Sequence, residues 1–240
     1  MGKHAKTLER MRDRVNELVR DFEHYVDVFE KAELFTGPSL YFHDKTLALR
    51  RQMSAAQALE NDAFLESLYA TLTAWGMHRM GKSMAKLVNF PELKASFLQQ
   101  ANQIQQVETW QIWDIEPRDV PQVAQVLWAI ISHLRVGIGE TKIVAGSKAL
   151  HHLLPDLVPP IDRQYTVRFF YHHTTFNQGD ERAFKEMYPH FHRIANSCRQ
   201  EIEARLGGGM NTSATKVIDN AIVGYVLEHL KQRPLGSVKK

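Results

Sequence analysis

The chain has 240 residues, 44% hydrophobic and 24% charged, a globular composition that excludes disordered and fibrous classes and leaves ample material for a core. Its 30 lysines and arginines against 27 acidic residues give a net charge of +3, which allows a phosphate-binding face without demanding one. The single cysteine, Cys198, excludes an internal disulfide and any cysteine-ligated zinc site or iron–sulfur cluster, and fits a reducing cytoplasm.

The start, Met1 to Lys6, lacks the apolar region of a signal peptide, and Lys6 stands where acylation of Gly2 needs Ser or Thr. The longest apolar run, Val126 to Ile131, is too short for a bilayer, so no membrane partner is expected.

Helical periodicity then dominates. Leu8, Met11, Val15, Leu18, Phe22, Tyr25 and Phe29 recur at steps of three and four, predicting one long first helix whose apolar stripe packs on the rest of the chain. Its charges, Lys3, Lys6, Arg10, Arg12, Arg14 and Arg20 interspersed with Glu9, Asp13, Glu17 and Asp21, read as a solvated face. Thr36-Gly37-Pro38-Ser39 breaks the chain, and Tyr41, Phe42 and His43 just beyond it are candidates for a pocket or groove. Further helices are expected over 43–58, 61–80, 91–107, 119–134, 140–154, 163–173, 180–205 and 212–230. No hairpin turn or sustained alternation marks a strand, so the fold class is all-α, one compact unit spanning 1–240. Lys82, Lys86 and Lys94 form a loose basic cluster.

The most informative stretch runs from Val120 to Tyr171. A strongly apolar helix leads into Val136-Gly137-Ile138-Gly139, and a second helix follows with Ile143, Val144, Leu150 and Leu153 on its apolar side. Glycines admit positive φ and let backbone N–H groups approach a ligand, and the helix start after them favours an anion such as phosphate. Ile138 between the two glycines is expected to anchor the turn in the core. Val158-Pro159-Pro160-Ile161-Asp162 then leads rigidly into a third helix at Arg163. Asp162 suits two roles: an N-cap, the ordinary use of such an aspartate, and a fixed carboxylate that stabilises a sugar cation.

Other segments carry weaker signals. Trp110 and Trp113 flank Gln111-Ile112 and either share a core or stack on an extruded base. The histidines, 12 in all, include His151-His152, His172-His173 and His190-x-His192, spacings that chelate poorly, so no metal site is expected. Ser213 or Thr212 caps the last helix, within which Asp219 and Asn220 are costly unless partnered. They either reach a neighbouring helix end or line a pocket.

The order of parts between Val120 and Tyr171 resembles the helix-hairpin-helix superfamily of DNA glycosylases. The pieces that carry the resemblance are Gly137-Ile138-Gly139, the helix through Ala149 and Leu150, Val158-Pro159-Pro160-Ile161-Asp162, and the helix from Arg163 to Phe170. The resemblance implies a two-lobed helical bundle, with 1–116 and 174–240 forming one lobe and 117–173 the hairpin and aspartate segment. It further implies hydrolysis of the N-glycosidic bond of a damaged or modified base flipped out of double-stranded DNA, by a monomer without a cofactor. Asp162 takes the place of the family's essential aspartate. Gly137, Ile138, Gly139 and Thr141 form the phosphate grip in one register; Gly146 and Ser147 do so in the other. Lys142 or Lys148 corresponds to the lysine nucleophile of bifunctional members. Trp110, Trp113, Tyr41 and Asn220 are the base-pocket candidates. The residues after Asp162 depart from the family pattern, and hydrolysis by activated water is the expected chemistry.

Overall fold

The computed structural model describes residues 3–78 and 86–230, so Lys82 of the basic cluster lies outside the described residues. It is all-helical; among the described residues the only β pairing is an isolated antiparallel bridge between Leu87 and Gly137. The helices are α1 (Lys3–Arg20), α2 (Phe22–Lys31), α3 (Pro38–Arg50), α4 (Ala55–Glu60), α5 (Asp62–Leu72), α6 (Phe90–Gln99), α7 (Ala101–Val107), α8 (Val120–His133), α9 (Ile143–Leu153), α10 (Arg168–Tyr171), α11 (Asp180–Ser197), α12 (Arg199–Arg205) and α13 (Ala214–His229). Wide turns at Thr73–Met77 and Arg163–Val167 and a tight one at Ile112–Asp114 complete them.

Sequence cues explain many of the boundaries. Pro38 opens α3, Ser54 and Gln57 form a reciprocal capping box on α4, Asn61 caps α5, and Asn89 before Pro91 caps α6. Ser213 caps α13, its hydroxyl accepting the N–H of Lys216 at 3.3 Å. Several expected helices are divided. The first breaks at Asp21 (φ −117°, ψ 33°), the pair α6 and α7 at Gln100, and α11 and α12 at Cys198. No glycine or proline marks these points, and the apolar period runs straight across them.

The stripe of the first two helices is buried, with Met11, Val15 and Leu18 at 0% exposure. One contiguous apolar cluster reaches from Met11 to Val226, and a smaller one gathers Phe29, Met210 and Val223. Helix α13 is the centre of the molecule, buried on every side from Ala214 to Val226. Each fully buried valine or isoleucine there contributes roughly 1.5–3 kcal/mol. Its closest partner is α2: a Cβ on Gly224 would stand 1.9 Å from the carbonyl oxygen of Tyr25, so only glycine permits this approach. Arg14 departs from the solvated face expected of it. It is 7% exposed and donates from Nη2 to the Phe170 carbonyl, which ties α1 to α10. No helix among the described residues is long and apolar enough to cross a membrane.

Candidate functional site

Helix α8 ends where Leu134 turns extended (φ −68°, ψ 129°), and residues 134–142 return the chain to α9. The return is pinned to the segment before α6: Val88 N–H donates to Val136 O at 3.0 Å, and Ile138 N–H to Lys86 O at 2.9 Å. A Cβ on Gly137 would meet Lys86 O at 3.2 Å, so this glycine serves close backbone approach. Ile138 does not anchor the turn. It is 66% exposed, because its backbone is held by Lys86 while its side chain projects from the tip.

Gly146 and Ser147, the candidates of the second register, lie inside α9. A Cβ on Gly146 would stand 2.9 Å from Ile131 Cγ2; it is the contact glycine between α8 and α9, not a hairpin residue. Ser147 is fully buried and so offers nothing to a phosphate; its hydroxyl accepts the N–H of Ile161 at 3.0 Å. The first N–H groups of α9 are also engaged. Those of Lys142 and Ile143 donate to Asp180 Oδ2 at 2.6 and 3.1 Å, so a carboxylate from α11 holds the place expected for an anionic ligand. The solvent-facing part of the turn is Ile138, Gly139 and Glu140. Thr141 accepts from Arg163 Nη2 at 3.0 Å, joining the turn to the Asp162 segment.

Asp162 is a helix cap. Its Oδ1 accepts the N–H of Tyr165 at 2.7 Å, and its own N–H donates to Thr166 Oγ1 at 3.1 Å. The side chain is half-buried, and Oδ2 has no hydrogen bond among the described residues. Lys148 approaches from the middle of α9, with its ammonium 5.8 Å from the centre of the Trp75 ring and no ion pair among the described residues. Both charges reach Asp219 on α13, whose carboxyl is pushed up by burial and further by Asp162, against the pull of Lys216 and Lys148. Lys148 and Asp162 thus both act on Asp219, while Lys142 stands at the start of α9 beside Asp180.

Aromatic side chains surround this cluster. Trp75 sits in the wide turn after α5, made possible by Gly76 at φ +80°, and donates from Nε1 to Ser39 O at 3.2 Å. Around its ring stand Phe35 (6.1 Å between centroids), His43 (5.1 Å) and His152 (5.0 Å), and Tyr165 packs on the same small apolar cluster. Nothing local in the sequence marks Phe35 for this place, whereas the Trp75-Gly76 pair inside an expected helix is a signal of special backbone.

Behind the aromatics lies a buried polar layer. Lys216, 1% exposed, donates to Asp219 Oδ2 at 2.7 Å and Asn220 Oδ1 at 2.5 Å, and rests 5.4 and 5.3 Å from the Phe29 and Phe35 ring centres. Asn220 is fully buried and its amide is committed inside the fold, donating to Met210 O and Asn211 Oδ1; it has no free edge to offer a base. The distant histidines meet as a chain. His152 Nδ1–H donates to Lys148 O at 2.8 Å, so its Nε2 accepts from His43 Nδ1–H at 3.0 Å, and His43 Nε2 accepts from the Thr212 hydroxyl at 2.8 Å. Burial holds these rings neutral: His152 is pulled down to about 4, and His43 and His151 are also lowered well below the ordinary imidazole value. No three metal-ligating side chains converge among the described residues.

The remaining pocket candidates are Trp110, Trp113 and Tyr41. Trp110, 39% exposed, lines a cavity of about 470 Å³ with Asp114, Glu116 and Asp119. Trp113 donates to Gln111 Oε1 at 2.8 Å and carries Arg199 over its ring. Tyr41 is 61% exposed on α3, against Phe42. A larger cavity of about 680 Å³ is lined by Phe29, Phe35, Leu40 and Met210 and adjoins the aromatic cluster. Of the basic cluster, Lys94 is paired with Asp62 at 2.5 Å. The chain has no significant match among family models, curated proteins or solved structures.

Proposed function

We propose that this chain is a DNA glycosylase-like enzyme, built as a two-lobed bundle around a helix-hairpin-helix element formed by α8, the turn at Gly137-Ile138-Gly139 and α9. Its substrate is a damaged or modified base extruded from double-stranded DNA, because the glycosidic bond cannot be reached in a stacked duplex. The observation that carries this reading is the placing of Lys148, over Trp75, and of Asp162, capping the turn that bears Tyr165, at one aromatic cluster completed by Phe35.

In the reaction, the bond between the sugar C1′ and the base nitrogen breaks with its electron pair leaving on the base. The sugar becomes cationic, and Asp162, fixed by its cap, lies opposite that charge. Lys148 donates a hydrogen bond to the departing base, and a water adds at C1′. The aromatic cluster supplies faces on which any base stacks. With Lys142 and Ile143 committed to Asp180 and the Ile138 N–H to Lys86, the phosphate contact falls to the solvent-facing backbone of Gly139 and Glu140.

The test is incubation of the protein with a panel of duplexes carrying oxidised, alkylated, deaminated or hypermodified bases, followed by detection of abasic sites. Abasic sites in one member of the panel support the reading and name the base. Strand breaks before alkali treatment assign Lys148 as a nucleophile. Salt-sensitive DNA binding without release leaves a binding module, and neither binding nor release leaves Asp162 a helix cap alone.

A further inference from the structure

Helix α13 is apolar and sealed, with Val217, Ile218, Ala221 and Ile222 at 0% exposure, yet it carries a buried ion pair. Removing a lysine and an aspartate from water costs several kcal/mol per ion, and a hydrophobic pair in their place is often at least as stable. A charged pair kept at the centre of a core is a candidate for chemistry rather than for stability. Its direction is specific. Lys216 is 1% exposed and held by Asp219, Asn220 and two aromatic faces, whereas Asp219 is 7% exposed against 0–1% for its neighbours from Lys216 to Ala221. Only Oδ2 of Asp219 is engaged by Lys216. Helix α13 also packs directly on the Arg163–Val167 turn that Asp162 caps, and the Asp162 charge acts on the Asp219 carboxyl.

We propose that Asp219 is a second carboxylate of the reaction centre, facing the sugar and taking the proton of the attacking water while Asp162 opposes the sugar cation. This rests on the glycosylase reading above. The step balances: the water oxygen forms the new bond to C1′, its proton passes to Asp219, and the electron pair of the C1′–N bond leaves with the base, which is protonated from solvent. Asp219 then returns its proton to solvent. Burial, which pushes the Asp219 carboxyl up, makes it a better proton acceptor than an exposed aspartate. Lys216 keeps it ionised and fixed, as a positioning residue.

A test independent of the unknown base uses two duplexes, one with a pyrrolidine in place of a nucleotide sugar and one with a tetrahydrofuran. The protonated pyrrolidine nitrogen mimics the sugar cation; the tetrahydrofuran is its neutral counterpart. The native protein is expected to prefer the pyrrolidine duplex by about tenfold or more, and Asp162→Asn and Asp219→Asn each to lose most of that preference while keeping tetrahydrofuran affinity. A merely structural loss weakens both duplexes alike and leaves the ratio unchanged. Asp219→Glu is expected to retain part of it. If Asp219→Asn does not fold, Lys216→Met combined with Asp219→Asn removes the unpaired charge and is expected to lose the preference too. Asp219→Asn or the double variant keeping the preference while Asp162→Asn loses it overturns the proposal and leaves the glycosylase reading standing. A native protein that binds neither duplex, or both equally, overturns both.

Discussion

The hydroxyl of Ser147 accepts the N–H of Ile161 at 3.0 Å, a fully buried bond between the residue before Lys148 and the residue before Asp162. It fixes α9 against the Pro-Pro-Ile lead-in, and thereby the two charged groups against each other. Replacing Ser147 by alanine leaves the Ile161 N–H buried without a partner, at a cost of about 1–3 kcal/mol. Urea denaturation of Ser147→Ala checks the magnitude, and base release is expected to fall further than the loss of folded protein explains.

Gly224→Ala is expected to be far more damaging than its size implies. The new Cβ would stand 1.9 Å from Tyr25 O, and backbone cannot yield as a side-chain tip does, so the cost lies at or beyond the upper end of the ~1–3 kcal/mol typical of overpacking. Gly208→Ala, with nothing within 4 Å of its Cβ position, is the control and is expected to be near neutral. Thermal melting of the two variants makes the comparison.

Asp180 couples stability and binding in opposite directions. Asp180→Ala strips the cap from Lys142 N–H and Ile143 N–H and is expected to destabilise the fold by ~0.5–2 kcal/mol. It also frees those donors and removes a negative charge beside the turn, so affinity for unmodified duplex is expected to rise severalfold at low salt. Denaturation midpoints and fluorescence anisotropy on the same variant read the two effects separately.

The histidine chain gives the fold an acid limit. Burial lowers His152 to about 4, below its ordinary value of 6.5, and lowers His43 and His151 in the same direction. Unfolding then takes up protons, so this contribution is fully present above pH 6.5 and is lost as pH falls from 6.5 towards 4. For His152 alone the loss is on the order of 3 kcal/mol at its acid end. Urea midpoints between pH 7.5 and 4.5 are expected to show the decline, and His152→Gln to flatten it; equal slopes in both proteins contradict the assignment.

Legibility followed range along the chain. The helical class, the stripe of Met11, Val15 and Leu18 and the cap at Asp162 all rest on neighbours within a few residues, which periodicity and capping chemistry encode. The break at Asp21 was hidden because the apolar period crosses it unchanged. Trp75, Phe35 and Lys216 come from three distant segments, and nothing local distinguishes a buried lysine from a solvated one. Ile138 read as an anchor because it is apolar, but its place at the tip is set by Lys86, far away in sequence.

The most direct measurement is the single-turnover rate of base release by native protein and by Asp162→Asn, on the panel duplex that the native protein processes, with DNA affinity measured in parallel. Asparagine still accepts the Tyr165 N–H as an N-cap, so the variant is expected to fold and bind DNA as before. Loss of the carboxylate charge is expected to slow release by about 100-fold or more. Equal rates in the two proteins, or no release by the native protein from any duplex in the panel, contradicts a catalytic Asp162.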